Sequence, residues 1–165
     1  MAVYLFTFHT YRSWMPDHRR GFVKRGRGIQ PPDPRRAAAY AARARHDRAF
    51  LDREACAVAL GAIQSACNKP SRNWRMHLGV AVFNHLHALV SWPTFHNVKR
   101  VRAVLHHAVN VALRDHVASD HPWLSRGGSL KRIEARPHFE HLVHGYLPSH
   151  RKYGGVMLHE DGSLG

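Results

Sequence analysis

The chain has 165 residues, 44% of them hydrophobic and 22% charged, a balance ordinary for a globular domain with one buried core. No apolar run approaches the roughly eighteen residues of a transmembrane helix, which excludes a membrane span of that kind. The charge is lopsided: 25 Lys and Arg against 11 Asp and Glu give a formal +14 and a pI near 11.0. A polyanion is therefore the expected partner, because each phosphate neutralised releases condensed counterions.

Residues 3–8 are short, β-branched and aromatic, and read as a strand; the start of the chain is expected to be folded rather than a signal segment. Residues 17–36 turn to Arg, Gly and Pro, with Gly26-Arg27-Gly28 and Pro31-Pro32-Asp33-Pro34, and read as a strongly basic loop. Residues 37–48 favour helix without an apolar stripe, so any helix there is peripheral. Asp52 can cap a better one, in which Cys56, Leu60, Ile63 and Cys67 recur at four, three and four residues and mark one buried face. The two cysteines read as small buried apolar residues rather than a disulfide or a metal-ligand pair, which fits a reducing cytosol.

Two extended stretches follow, at 74–82 and 85–92, around a weak turn signal at Phe83-Asn84. Asn97 can cap a second helix with the apolar stripe Val98, Val101, Leu105, Ala108 and Ala112, while Lys99, Arg100, Arg102 and His106 face elsewhere. Residues 123–128 turn, 129–135 alternate as a fourth strand, and Pro137 suits the first position of a last helix running to Ser149. Residues 154–165 read as a tail. The order strand, helix, strand, strand, helix, strand, helix predicts an α+β fold, a ferredoxin-like antiparallel sheet with helices packed on one face, in a single domain over 1–165.

Sixteen histidines are many, and only their spacing can choose among them. His85 and His87 lie two apart in a strand, so both imidazoles project from one face while Leu86 points into the helix-packed core. Two nitrogen donors at that spacing can grip one divalent ion and leave positions open for phosphate oxygens. A bare His-x-His is a weak signal in a His-rich chain. Its flanks, Val80-Ala81-Val82-Phe83 and Ala88-Leu89-Val90, strengthen it by placing the pair centrally in the sheet.

Three ordered segments carry a resemblance: Phe6-Thr7-Phe8-His9-Thr10-Tyr11-Arg12-Ser13-Trp14-Met15-Pro16, then His85-Leu86-His87-Ala88-Leu89-Val90, then Trp123-Leu124-Ser125-Arg126-Gly127-Gly128-Ser129 with the helix bearing Tyr146. Together they cover most of the chain, which resembles the HUH-endonuclease superfamily, and most closely its REP-associated and IS200-like single-tyrosine transposases. The resemblance implies an HUH nuclease core in which Tyr146 is the nucleophile and His150, four positions on, completes a metal site with His85 and His87. It implies a divalent cofactor, Mg²⁺ or Mn²⁺, a 5′-phosphotyrosine intermediate, and single-stranded DNA with a hairpin as substrate in DNA transposition, in the cytoplasm of a prokaryote and on its nucleoid. Three departures stand out. His150 replaces the more usual Gln or Asn, Asn84 stands where an acidic residue often precedes the histidine pair, and Pro148 removes a helix hydrogen bond between Tyr146 and His150.

Tyr153 is the rival nucleophile, expected beyond the helix because it precedes Gly154-Gly155. The candidate DNA contacts are Arg12, Arg19, Arg20, Lys24, Arg25 and Arg27 about the first loop, Lys99, Arg100 and Arg102 on the second helix, Lys131 and Arg132 on the last strand, and Arg151 and Lys152 after the tyrosine. Trp14 is a candidate for stacking on unpaired bases. The competing readings are a DNA-binding module of the same fold that has lost cleavage, a rolling-circle replication or mobilisation initiator, and a His-rich metal-storing protein. Monomer and homodimer both stay open.

Overall fold

A computed structural model describes residues 1–165 apart from Arg25 and Thr94. Its elements in chain order are β1 (Ala2–His9), a short hairpin of β2 (Phe22–Lys24) and β3 (Gly28–Gln30), α1 (Pro34–Ala42), α2 (Arg53–Cys67), β4 (Arg75–Val82), β5 (His85–Trp92) and α3 (Val98–Val117). There follow β6 (Ser129–Arg132), α4 (Arg136–His141), a π-helical turn (Leu142–Tyr146), a 3-10 run (Pro148–Tyr153) and β7 (Val156–His159). Five of the strands form one antiparallel sheet in the order β6-β1-β5-β4-β7. The first four are the crossed-over arrangement expected of a ferredoxin-like core.

Alternation along the strands gives this sheet two apolar faces. Phe6, Phe8, Leu86, Ala88 and Val90 point one way and meet α2 and α3. Leu5, Leu78, Val80 and Leu89 point the other way and meet Leu142, Leu147 and Met157. The two long helices therefore share one face, as expected, and the C-terminal helical segment covers the opposite one. That second layer matters for the site, because His85 and His87 have the parity of Leu89.

Asp52 caps α2 by accepting from the Ala55 amide, and Cys56, Leu60, Ile63 and Cys67 are its buried face. Burial pushes the Cys56 thiol up to about 11 and the Cys67 thiol up to about 12, so both are free, protonated and apolar in behaviour. Asn97 caps α3 through the Lys99 amide, but the buried stripe is Val101, Leu105, Val109 and Leu113. The expected stripe ran through Ala108 and Ala112 in its second half. The helix instead turns its larger side chains, one residue further on, into the core, because burial scales with apolar area.

Three local expectations are corrected. The basic loop over 17–36 contains the β2–β3 hairpin, and α1 begins inside it at Pro34, because the Asp33 side chain accepts from the Arg36 amide and Pro34 opens the first turn. That helix ends at Ala42 rather than reaching 48. The expected tail over 154–165 contributes β7, which pairs with β4 from Leu78↔His159 to Ala81↔Val156. The chain end then folds back over that strand, Met157 and Gly165 exchanging both backbone hydrogen bonds at 3.0 Å. Among the described residues, no helix is long and apolar enough to cross a membrane.

Candidate metal centre and tyrosine

β5 carries His85 and His87 on the face that the C-terminal segment covers, and that segment brings His150 down onto them. The ring centroids lie 4.9 Å apart for His85–His87, 4.9 Å for His87–His150 and 5.6 Å for His85–His150. One ligand nitrogen from each lies within 4.8 Å of the others. His87 and His150 are buried, at 5% and 7% exposure, and His85 is half-buried.

The hydrogen bonds decide which nitrogen is free. His85 Nδ1 is 2.7 Å from the Asn84 amide oxygen, and His150 Nδ1 is 3.1 and 3.2 Å from the carbonyls of Tyr146 and Leu147. Those oxygens only accept, so both rings carry their proton on Nδ1 and leave the Nε2 lone pair available. His87 Nδ1 lies 2.9 Å from the Thr7 hydroxyl, which can accept in the same way. Each imidazole thus has the outer partner that orients a metal ligand. Asn84, standing where an acidic residue was the more usual expectation, orients His85 through its amide oxygen.

Burial is the main cause of a lowered histidine pKa here, with the neighbouring imidazoles adding to it: His87 is pushed down to about 3 and His85 to about 4. Both are neutral near pH 7 and able to donate. Three imidazole donors without a carboxylate among them fit a divalent ion of the first transition row better than Mg²⁺, which takes oxygen ligands.

Tyr146 closes the π-helical turn. The Leu147 amide reaches back five residues to the Leu142 carbonyl at 3.0 Å, and Pro148, lacking an N–H, starts the 3-10 run. The widened turn absorbs the proline, and His150 still sits beside Tyr146, ring to ring at 5.1 Å. The Tyr146 hydroxyl lies 3.5 Å from His87 Nε2, and the residue is 39% exposed to solvent. Tyr153, at the end of the 3-10 run, is 63% exposed under the Lys152 ammonium and touches none of the three histidines.

Gly155 locks the arrangement from behind. Its amide donates to the His150 carbonyl at 3.2 Å, and a Cβ there would lie 2.8 Å from that same oxygen. Sequence reasoning missed this contact, and it missed His9 as well. His9 is the cross-strand partner of His85, its ring 6.0 Å away and 5.0 Å from Trp14. The parity of residues 7 and 9 in β1 was a usable signal, but only once the β1–β5 register is known.

The cationic candidates divide. Arg19, Arg20, Arg27, Lys99, Arg100, Lys131, Arg151 and Lys152 are exposed, and Lys24 is half-buried. Arg132 is exposed but paired with Glu134 at 3.3 Å. Arg102 turns inward, over the Phe8 ring and to the Arg126 carbonyl at 3.3 Å. Arg12 donates to the His46 carbonyl at 2.9 Å, and Trp14 stacks on His18 at 3.9 Å. Arg25 lies outside the described residues.

No protein-family model matches the chain, and no curated protein matches it. Among solved structures, it is similar to a REP-associated tyrosine transposase bound to a REP hairpin, at a TM-score of 0.51 and 10% identity, over 93% of this chain and 68% of that one. At that identity the likeness bears on the fold, an α+β arrangement with a five-stranded antiparallel sheet and helices against it.

Proposed function

We propose that this protein is a metal-dependent DNA nickase and strand transferase of the tyrosine transposase type, with Tyr146 as nucleophile and His85, His87 and His150 as metal ligands. The observation that carries this reading is the Tyr146 hydroxyl at 3.5 Å from His87 Nε2, beside three imidazoles whose ligand nitrogens converge. The fold likeness to a transposase bound to a REP hairpin supports it, and so does the formal charge of +14.

His85, His87 and His150 would hold a divalent ion, which when bound would supply Lewis-acid polarisation of the scissile phosphate. The residues do the rest. Tyr146 Oη bonds to phosphorus as the bond to the departing 3′-oxygen breaks; the phenol proton passes to solvent, and the 3′-oxygen takes one from solvent and leaves as a hydroxyl. One diester is exchanged for another, so a later 3′-hydroxyl can reverse the step and join strands without a nucleotide cofactor. Thr7, Asn84 and the carbonyls of Tyr146 and Leu147 keep the imidazoles in the ligating tautomer. The substrate is single-stranded DNA bearing a hairpin, and Mn²⁺ is the better cofactor for an all-imidazole set.

The test is a denaturation-resistant protein–DNA adduct, formed with hairpin-bearing single-stranded DNA and Mn²⁺. Tyr146→Phe is expected to abolish it and Tyr153→Phe to leave it. DNA binding without any adduct would reduce the protein to a binding module, and an adduct that survives Tyr146→Phe would move the nucleophile elsewhere.

A further inference from the structure

A second concave surface lies beyond Trp14. A cleft of about 820 Å³ opens between the loop after β1, α1, α3 and residues 120–126, within the size range of ligand sites, roughly 300–1,000 Å³. Guanidinium groups of Arg12, Arg43, Arg114 and Arg126 line it, against the single carboxylate of Asp120. None of the four forms an ion pair among the described residues. Tyr40, 46% exposed, lines the same space, as does Trp14, whose ring is stacked on His18.

Arg12 marks the cleft in two independent ways. Its backbone is left-handed, φ 59°, a conformation rare in residues with a side chain and found disproportionately at binding sites. Its Nε is buried without a hydrogen-bond partner, while its Nη1 donates to the His46 carbonyl at 2.9 Å. The floor is rigid. Asn110 Oδ1 accepts from the amides of Trp123 and Leu124, both at 3.1 Å, and His106 Nε2 donates to the Ser125 carbonyl at 3.0 Å. The Ser125 amide in turn donates to the His9 carbonyl at 2.9 Å. Because His9 stands beside both His85 and Trp14, the cleft and the histidine site share a wall.

We infer that this cleft holds an unpaired nucleotide of the strand that reaches the histidines, its base against Tyr40 and its phosphate among the four guanidinium groups. A paired base cannot enter a concave site of this kind, whereas an unpaired one offers a ring face for stacking and a phosphate for Arg. The inference rests on the DNA reading above, and its test keeps the two apart.

Anisotropy titrations in EDTA, where no strand is cut, compare a blunt hairpin, the same hairpin with unpaired flanks, and one whose flanks are abasic. The intact flanks are expected to tighten binding about tenfold, the scale of base–aromatic stacking. Abasic flanks keep the phosphates and are expected to lose most of that gain. Tyr40→Ala and Arg114→Ala together are expected to erase it, with the thermal melt unchanged. Equal affinity for blunt and flanked hairpins, full gain from abasic flanks, or a gain that survives the double variant overturns the cleft assignment while leaving DNA binding intact. Failure to bind any of the three overturns the DNA reading and this inference with it.

Discussion

Two features set His87: burial keeps it neutral, and the Thr7 hydroxyl at Nδ1 leaves its Nε2 facing Tyr146. An ordinary histidine titrates near 6.5, whereas His87 is pushed down to about 3 and His85 to about 4. As pH falls below 6.5 the unfolded chain takes protons that the folded chain refuses, so stability is complete above that value and declines towards pH 4. His87 alone contributes up to about 1.4 kcal/mol per pH unit in that window. His9, His77 and His106, also lowered by burial, act in the same direction. Urea unfolding in EDTA is expected to show a flat profile from pH 7 to 8 and a steady loss below 6.5, less steep in His87→Gln; a profile flat to pH 4 would contradict the buried neutral pair. The Thr7 hydroxyl yields a second test. Thr7→Val keeps the shape but removes the acceptor for His87 Nδ1–H, so Mn²⁺ affinity by calorimetry is expected to fall by about 10- to 100-fold with the fold preserved. An unchanged affinity would deny Thr7 its orienting part.

The C-terminal segment converts a half-sheet of histidines into a three-sided site, and Gly155 is where it is least tolerant. A methyl group there meets the His150 carbonyl at 2.8 Å and Val82 Cγ1 at 3.2 Å, so the 3-10 run must move. Gly155→Ala is expected to cost about 1–3 kcal/mol and to weaken Mn²⁺ binding, while Gly127→Ala, with nothing within 4 Å, does neither. Equal behaviour of the two variants would show that His150 does not depend on this contact. The same segment shows what a sequence can carry. The period of Cys56, Leu60, Ile63 and Cys67 marks α2 correctly, because one stripe against one core is a local pattern. The Phe83-Asn84 turn is weak as a motif because long-range bonds hold it, from the Leu51 amide to Phe83 and from the Thr10 amide to Asn84. β7 has only four residues after two glycines, too few for a period, and its place beside β4 is a tertiary fact. His85, His87, Tyr146 and His150 were legible as a set through the resemblance. His9 was not, since only strand register puts it beside His85.

At the scale of the whole molecule, the charge of +14 is distributed, and its distribution makes a quantitative claim. Arg151 and Lys152 are exposed immediately after His150, Lys99 and Arg100 open α3, and Arg19, Arg20 and Arg27 flank the small hairpin. Arg132 is engaged with Glu134, and Arg102 is folded inward. If about six of the exposed groups meet phosphates of a single strand, log affinity falls against log salt with a slope near −4, roughly 10²- to 10³-fold between about 50 and 200 mM. The identity of the contacts follows from how the slope responds. Removing a cation that meets a phosphate lowers its magnitude by about 0.7, so the double variant Arg151→Ala, Lys152→Ala is expected to take off about 1.4, whereas Arg132→Ala, already neutralised by its neighbour, is expected to change it little. Anisotropy titrations over a salt series, with a catalytically silent Tyr146→Phe background, measure both. A slope near zero would remove phosphate contact as the source of affinity. Equal losses from the paired and the unpaired arginines would mean that binding senses only total charge, and that the exposed cations beside His150 do not set where the strand lies.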